Sequence, residues 1–197
     1  MDKALRKEGY SIIAGVDEAG RGPLAGPVFA AAVVLPLDAD LPRRLDSKKF
    51  SPKKRTTLYS EIKRQAIAWH VSSVDNNGVD RLNILQASLA AMAEALKNLK
   101  IPLDLVIVDG RFPPTTIWPV RCVKSGDLLS QSVGAASILA KVDRDRVMEA
   151  YHRIYPQYGF DRHKGYPTRF HRLAIAEHGP CPIHRKTYRG VKEFLVS

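Results

Sequence analysis

The amino-acid sequence predicts an α/β fold in one domain, because two kinds of segment alternate along it. Short apolar runs of strand length stand between segments whose apolar residues recur every three or four positions. The 197 residues suffice for one hydrophobic core, and 45% hydrophobic with 26% charged residues is typical of globular proteins. No repeat or linker divides the chain. We therefore expect a single domain over 1–197, with an α/β core over roughly 1–150 and a helical part over roughly 151–197.

Five apolar runs have the length and composition expected of strands. The first ends abruptly at the acidic pair Asp17-Glu18, and the turn-rich stretch AGRGPLAGP separates it from the second. The fourth is a short continuous run that ends at Asp109, which is typical of a buried strand. The five predicted strands cover residues 11–16, 28–35, 67–74, 103–108 and 117–123.

Four segments carry helix signals. Ser51 and Pro52 supply an N-cap and a first helical position. In the clearest helix, four leucines and one methionine recur at steps of four and three. In another, Gly134 costs the first turns roughly 1 kcal/mol relative to alanine. The predicted helices begin after Ser51 and cover 83–99, 132–151 and 168–179, and the stretch 155–167 is predicted to be a loop.

The chain is strongly basic, with a net charge of +11 and a pI near 9.8. Residues 141–197 contain twelve basic and six acidic residues, so this last stretch carries +6 of the excess, together with five of the six histidines. Such an excess favours a polyanionic partner, foremost a nucleic acid, bound by the C-terminal part. A basic surface without a partner is the alternative that charge alone leaves open.

The sequence predicts a cytoplasmic protein with no membrane association. The start MDKALRKEGY lacks the apolar core of a signal peptide, and no stretch approaches the ~20 apolar residues that a membrane helix requires. Cys122 and Cys181 are two thiols in a chain of this class, for which the reduced, structural state is the expectation. We assign them no chemistry.

The pair Asp17-Glu18 stands where the first apolar run stops, directly before the glycine-rich segment Gly20-Arg21-Gly22. Adjacent strand residues point to opposite faces, so we expect the backbone to turn at the pair if both carboxylates serve one site. The glycines permit such a turn and leave backbone N–H groups open to a phosphate or sugar. An acidic pair beside a basic loop suits metal-assisted phosphate chemistry, whereas a polar turn capped by acids is the structural alternative.

Two further acids extend this pattern. Asp109 ends the buried run LVIV, where a carboxylate is costly unless a cation or hydrogen bonds stabilise it. Asp127, in SGD before a predicted helix, is a fourth candidate, although a helix-entry role also explains it. Hard divalent cations such as Mg²⁺ or Mn²⁺ take oxygen ligands, and a phosphodiester cleaved between two of them has its attacking and leaving oxygens stabilised.

The run DEAGRGPL at 17–24 resembles the opening motif of the ribonuclease HII family, and further segments match that family in the same order. They span nearly the whole chain, so chance similarity does not explain them. Two departures are Phe50, where the family often has leucine, and Gly134, where alanine is common. The further matching segments are DSKK at 46–49, NIL at 83–85, VDG at 108–110, GD at 126–127, ASILAK at 136–141, YGF at 158–160 and HKGYPT at 163–168.

The resemblance implies a ribonuclease H-like mixed sheet flanked by helices, with a basic helical C-terminal extension. It implies that Asp17, Glu18, Asp109 and Asp127 hold Mg²⁺ or Mn²⁺ and are the catalytic residues. It also implies that Gly20, Arg21 and Gly22 meet the ribose 2′-hydroxyl, and that Tyr166 stacks on the sugar at an RNA–DNA junction. Lys48, Lys49 and Lys141 are candidate phosphate contacts, with a solvated surface as the alternative.

We therefore expect a monomeric endonuclease that cuts the RNA strand of RNA–DNA hybrids and single ribonucleotides in duplex DNA. Two-metal hydrolysis leaves 5′-phosphate and 3′-hydroxyl ends, with Asp17 and Asp109 shared between the metals and Glu18 and Asp127 completing one site each. A metal-dependent DNA nuclease or resolvase and a non-catalytic hybrid- or RNA-binding module are the rival hypotheses. The sequence names no protein partner.

The C-terminal histidines and Cys181 are weaker candidates for a functional role. Cys181 and His184 have a spacing that zinc uses, but a structural zinc site needs four ligands and no second Cys-x-x-Cys pair exists. We expect His163, His171 and His178 to be phosphate-binding or surface residues rather than catalysts.

Overall fold

A mixed β-sheet forms the centre of the computed structural model, which describes residues 1–42, 44–47 and 49–195. Within those ranges the sheet has five strands in the order β3-β2-β1-β4-β5. β1 is antiparallel to β2, and β2 to β3, whereas the pairs β1–β4 and β4–β5 are parallel. All five predicted runs form strands, which confirms the α/β class. The strands are β1 Ile13–Ala19, β2 Val28–Val34, β3 Ala68–Val74, β4 Leu105–Asp109 and β5 Val120–Val123.

Helices cover both faces of this sheet. Ser51 caps α2 by accepting from the Lys54 N–H, with Pro52 at the first position, and Thr168 caps α8 in the same way, so both predicted starts are confirmed. The helices are α1 Asp2–Lys7, α2 Pro52–Gln65, α3 Asn76–Leu82, α4 Ile84–Lys97, α5 Gly126–Leu129, α6 Gln131–Ile154, α7 Phe160–His163 and α8 Arg169–His178, and 3₁₀ turns cover Pro156–Tyr158 and Lys192–Phe194.

Four of these helices, α1, α3, α5 and α7, were not predicted. Each has seven residues or fewer, too short for a periodic apolar face to stand out. A cap rather than an apolar face stabilises the start of α3, where the Asp75 carboxylate accepts from the Gly78 N–H at 2.7 Å. Asn83 then ends α3 with a φ of 65° and caps α4 by accepting from the amides of Leu85 and Gln86. The predicted helix over 83–99 is therefore α4, with Asn83 as its cap.

The prediction of a loop over 155–167 is wrong in part, because a 3₁₀ turn and α7 lie within it. Tyr158 and Phe160 explain the difference. Their rings stack with centroids 5.5 Å apart, and both side chains are buried against α8. Two aromatic anchors in so short a stretch order the backbone without producing a period that sequence reasoning detects.

Gly134 stands inside α6, which begins at Gln131 rather than at 132. A side-chain carbon at this position would lie 2.7 Å from the Leu45 Cβ and 2.9 Å from the Asp127 carbonyl oxygen. Close packing therefore requires glycine here, and the lower helix propensity is tolerated because the Ser130 hydroxyl caps the helix by accepting from the Val133 N–H.

The apolar core lies in layers on either side of the sheet, and a third cluster carries the C-terminal part. Helix α4 packs on one face and α6 on the other. The third cluster joins Leu24 and Ala25, which follow β1, to Phe160 of α7 and Ile175 of α8. The C-terminal helices therefore pack directly against the loop that follows the first strand. None of the described helices is long and apolar enough to span a membrane.

Candidate active site

Asp17 and Asp109 lie side by side at one end of the central parallel strand pair. The register pairs Val16 of β1 with Val108 of β4, so each aspartate is the next residue of its strand. Asp109 ends β4, and Asp17 is only 6% exposed. Parallel neighbours in register point to the same side of a sheet, which brings these two carboxylates together.

The expected backbone turn at the acidic pair is wrong. β1 continues through Ala19, because its other edge stays paired with β2 as far as the partners Ala19 and Phe29. Asp17 and Glu18 therefore alternate as in any strand, and the turn comes afterwards at Gly20, which has a φ of 103°. The Glu18 N–H donates to the Asp17 Oδ1 at 2.7 Å and holds that carboxylate in place.

Burial raises the pKa of Asp17 well above its usual value, and the nearby charges of Glu18 and Asp109 raise it further. A hydrogen bond from the Ser137 hydroxyl acts in the opposite direction. Ser137 also stands 2.9 Å, oxygen to oxygen, from the Ser47 hydroxyl. A carboxylate that is disfavoured as an anion by desolvation and by like charges is the kind that a bound cation stabilises.

Burial and the neighbouring Arg21 have opposite effects on the pKa of Glu18. Burial raises the pKa of Glu18, while Arg21 lowers it through an ion pair of 3.3 Å between the Nη1 and Oε1 atoms. The charge of Asp109 again raises it. Arg21 is half exposed, so its guanidinium lies at the border between the acidic site and solvent.

Asp127 is brought to the same end of the sheet by a turn after β5. The Gly126 N–H donates to the Asp109 Oδ1 at 2.8 Å, so Asp127 directly follows a residue bonded to the acidic site. Among the described residues, no three His, Cys, Asp or Glu side chains are gathered as closely as a bound ion requires. The charges of Asp17, Glu18 and Asp109 therefore act on one another, and Asp127 follows the residue whose N–H donates to Asp109. An all-oxygen donor set of this kind fits Mg²⁺ or Mn²⁺.

The predicted substrate residues Gly22 and Tyr166 stand next to each other. A Cβ added to Gly22 would lie 3.5 Å from the Tyr166 Cε1, although the two residues are 144 positions apart. Tyr166 is 42% exposed, and its N–H donates to the His163 carbonyl. The ring and the glycine segment therefore form one accessible surface.

The predicted lysine contacts differ in their surroundings. Lys49 is 82% exposed and stands 3.7 Å from an Asp46 carboxylate oxygen. Lys141 is largely buried, and its ammonium donates to Asp145 at 2.6 Å. Lys48 lies outside the described residues.

The prediction that His171 is a phosphate-binding or surface residue is wrong. His171 is fully buried, with its Nε2 3.0 Å from the Nε2 of His184 and its Nδ1 3.0 Å from the Tyr166 carbonyl oxygen. Burial lowers the pKa of both histidines to about 4. The apolar faces of Tyr158 and Phe160 surround this pair, which is why it lies in the core.

The remaining C-terminal histidines and the two cysteines differ in how far they are buried. His163 is half-buried and stacks on His171, whereas His178 is partly exposed. The Cys181 sulfur lies 3.1 Å from the His184 Nδ1, and burial raises the pKa of this thiol to about 11. Both Cys122 and Cys181 are free thiols.

Sequence reasoning missed two buried arginines, Arg144 and Arg185, that hold the segment after β1. Both are almost inaccessible, and the hydrogen bonds that their guanidinium groups donate to the described residues all go to neutral oxygens, nearly all of them main-chain carbonyls. An arginine in a basic stretch is usually a surface residue, so composition offers no signal for this role. Ser137 lies within the matching segment ASILAK, but no sequence signal predicted its hydrogen bond to Asp17.

Comparison with known proteins agrees with this geometry. The family model for ribonuclease HII matches residues 14–191. Ribonuclease HII of Syntrophotalea carbinolica is 53% identical over 195 residues, which cover 99% of this chain and 93% of the relative. Ribonuclease HII of Geotalea uraniireducens is 53% identical over 197 residues, covering 100% and 91%.

Solved structures show the same fold. Ribonuclease H2 from Pyrococcus horikoshii superposes with a TM-score of 0.78 at 27% identity, covering 93% of this chain and 96% of that one. RNase HII from Archaeoglobus fulgidus, solved in a complex with PCNA, gives 0.75 at 28% identity, with coverage of 90% and 95%. Bst-RNase HIII in complex with Mn²⁺ gives 0.73 at 18% identity, with coverage of 92% and 68%, and shares the fold. The predicted ribonuclease H-like sheet is confirmed.

Proposed function

Because this chain belongs to the ribonuclease HII family and is a metal-dependent ribonuclease H that acts on RNA–DNA hybrids, we propose that it also cuts at single ribonucleotides embedded in duplex DNA. The hydrolysis uses two divalent cations and leaves 5′-phosphate and 3′-hydroxyl ends. The chain acts as a cytoplasmic monomer in one domain, with an α/β core over roughly 1–150 that carries the chemistry and a basic helical part over roughly 151–197 that contributes to substrate binding.

The observation that supports this proposal most is the pair Asp17 and Asp109 at the end of adjacent parallel strands, with Glu18 coupled to both. Asp17, Glu18, Asp109 and Asp127 would hold the cations, with Asp17 and Asp109 as ligands common to both and Glu18 and Asp127 as ligands of one each. Mg²⁺ or Mn²⁺ fits these oxygen ligands, and a structural neighbour, Bst-RNase HIII, was solved with Mn²⁺.

When bound, the cations supply a water of lowered pKa as nucleophile and neutralise charge on the departing 3′-oxygen. The chain positions the groups around them. Ser137 and the Glu18 N–H fix the Asp17 carboxylate, and the Gly126 N–H fixes the Asp109 carboxylate. Carboxylates held in this way need no rearrangement when charge develops on the phosphate.

The ribonucleotide is recognised beside this site. The backbone of Gly20, Arg21 and Gly22 meets the 2′-hydroxyl, and the Tyr166 ring stacks on the sugar, an arrangement supported by their proximity. Lys48 and Lys49 contact phosphate. Lys141 is a third phosphate candidate, which requires its ammonium to exchange Asp145 for a phosphate oxygen.

Three duplexes test the proposed function: one DNA duplex with a single ribonucleotide, one full RNA–DNA hybrid and one all-DNA duplex, each with and without Mg²⁺ or Mn²⁺. We expect metal-dependent cleavage of the first two only. The products should carry 5′-phosphate and 3′-hydroxyl ends, which a ligase joins without prior phosphorylation or dephosphorylation. Cleavage of the all-DNA duplex would indicate a DNA nuclease, and binding without cleavage would indicate a recognition module.

A further inference from the structure

We propose that Arg185 is a positioning residue that presets the backbone of the loop over 20–27, here called the β1–β2 loop, for contact with a ribonucleotide. This inference rests on the proposed function. It adds a residue that contacts neither metal nor substrate and that acts through the main chain of its neighbours.

Arg185 lies in the core beneath this loop, with no accessible surface. Its Nε donates to the Gly26 carbonyl at 3.0 Å, and its Nη2 donates to the Gly20 carbonyl at 2.6 Å. Its Nη1 donates to the carbonyls of Arg21 and Pro23 at 3.0 and 2.9 Å. One guanidinium therefore gathers four carbonyls from seven consecutive residues.

This gathering determines which way the amides of the loop point. In a trans peptide the C=O and the following N–H lie on opposite sides of the chain. With the Gly20 carbonyl drawn inward, the Arg21 N–H points away from Arg185, and the inward Arg21 carbonyl turns the Gly22 N–H outward in the same way. Within the described part of the chain, neither of these amides donates to another group. Two outward donors at exposed residues form a cradle for an oxygen-rich ligand.

This cradle lies beside Tyr166, the proposed sugar-stacking residue. Gly22 adjoins the Tyr166 ring, and the Leu24 N–H donates to the Gly165 carbonyl at 2.8 Å, which fixes the loop to the segment that carries the tyrosine. Arg144 supports the same junction, donating to the carbonyls of Ala25, Pro27 and Lys164.

The charge arrangement points to a purpose other than stability. Burial lowers the pKa of Arg144 to about 10, with a further contribution from Arg185, and burial likewise lowers the pKa of Arg185. Among the described residues, neither guanidinium has a carboxylate within 4 Å. Two buried cations held mainly by carbonyl dipoles are a costly way to pack a core, but they fix a backbone and place positive potential under a phosphate-binding surface.

Gly20 is required by this arrangement. A side chain there would collide with the Arg144 side chain, and the φ of 103° strongly favours glycine. The glycine thus serves both the turn and the close approach of a buried arginine, and the two arginines and the loop form one unit.

The test uses Arg185→Lys, with the exposed Arg64→Lys as a matched control that alters only a surface pair with Glu61. A lysine ammonium reaches fewer of the four carbonyls. We expect kcat on a duplex with one ribonucleotide to fall about 10²-fold, while KM changes less than about threefold, because misplacement of the reacting groups affects the chemical step. The affinity and stoichiometry of Mn²⁺ binding, measured by calorimetry, stay as in the parent chain.

Tyr188→Phe provides a variant that keeps Arg185 and the fold. The Tyr188 hydroxyl donates to the Arg21 carbonyl and accepts from Arg185, both at 3.1 Å. Removing it loosens one of the four carbonyls, so we expect a smaller fall in kcat, about three- to tenfold, with unchanged Mn²⁺ binding.

The outcomes separate this proposal from the proposed function. Failure of the parent chain to cut at a ribonucleotide would overturn the function. A parent chain that cuts, together with Arg185→Lys and Tyr188→Phe that retain full kcat per Mn²⁺-binding site, would overturn the positioning role alone. Equal losses of kcat and Mn²⁺ binding in Arg185→Lys would also overturn it, since they would show a general loss of structure.

Discussion

The acidic site and the β1–β2 loop are neighbours in sequence, yet they are held in different ways. Asp17 and Asp109 are placed by the register of two strands, a regular feature of the sheet. Gly20 to Gly22 are placed by Arg185, which comes from the other end of the chain. The proposed metal site is therefore built by the regular pairing of two strands, whereas the proposed recognition site depends on a single buried side chain from a distant part of the sequence.

The two regions also differ in electrostatic character. Burial and neighbouring like charges raise the pKa of Asp17, so bound cations would stabilise the ionised carboxylates of the acidic site. The loop has the opposite sign beneath it, with Arg144 and Arg185 buried. A phosphate between the two regions therefore meets positive potential on one side and, in the proposed function, cations on the other.

The largest effect is expected at the acidic site. Asp17→Asn or Asp109→Asn removes a ligand charge and leaves the strands paired, so we expect cleavage to fall by at least about 10³-fold. Binding to a hybrid survives, and the melting temperature is unchanged or higher for Asp17→Asn because a buried charge is removed. Either variant with near-normal turnover at saturating Mn²⁺ would exclude that residue as a ligand.

The next effect is expected at Tyr166, in the recognition region. Tyr166→Ala removes the ring, and we expect about a 10²-fold loss of cleavage at a single ribonucleotide. Tyr166→Phe keeps the ring and stays within about threefold. Since 42% of the residue is exposed, both variants unfold near the parent temperature. A large drop in melting temperature with unchanged cleavage per folded molecule would assign the ring to packing.

The buried histidines predict a sensitivity to acid in the C-terminal part. Their pKa is about 4 in the folded chain, whereas an exposed histidine has a pKa near 6.5, so the unfolded chain takes up protons first as pH falls. The two histidines therefore contribute fully to the free energy of unfolding above about pH 6.5. This contribution, on the order of 3 kcal/mol per histidine, is lost as the pH falls towards about 4.

Thermal unfolding at pH 7.5 and pH 5.0 measures this loss. We expect His171→Gln to reduce the difference between the two melting temperatures, and His178→Gln, at a partly exposed position, to leave it unchanged. An identical pH dependence in all three proteins would show that other groups govern acid unfolding.

The smallest effect is expected from single surface cations. Arg169→Gln removes one exposed charge from α8, and the plot of log affinity against log salt for a hybrid should become shallower by about one unit if that arginine contacts a phosphate. Arg64→Gln, far along α2, serves as the comparison with an unchanged slope. An affinity of the parent chain that does not change with salt would show that its cations do not contact phosphates.

What sequence reasoning predicted depends on how far apart the interacting residues lie. Periodicity and capping predicted α4 and the start of α2, and the end of an apolar run placed Asp109 correctly. The continuation of β1 through Glu18 was missed, because pairing with β2 is a property of another strand. The burial of His171, Arg144 and Arg185 was missed for the same reason, since their partners are distant in sequence and their residue types usually lie at the surface.

The measurement that tests the account most directly combines Mn²⁺ calorimetry with single-ribonucleotide cleavage on Asp17→Asn and Tyr166→Ala. We expect Asp17→Asn to lose Mn²⁺ binding and cleavage while it keeps hybrid binding. We expect Tyr166→Ala to keep Mn²⁺ binding and lose cleavage. Full Mn²⁺ binding by Asp17→Asn, or loss of Mn²⁺ binding by Tyr166→Ala, would contradict the separation of the metal site from the recognition site.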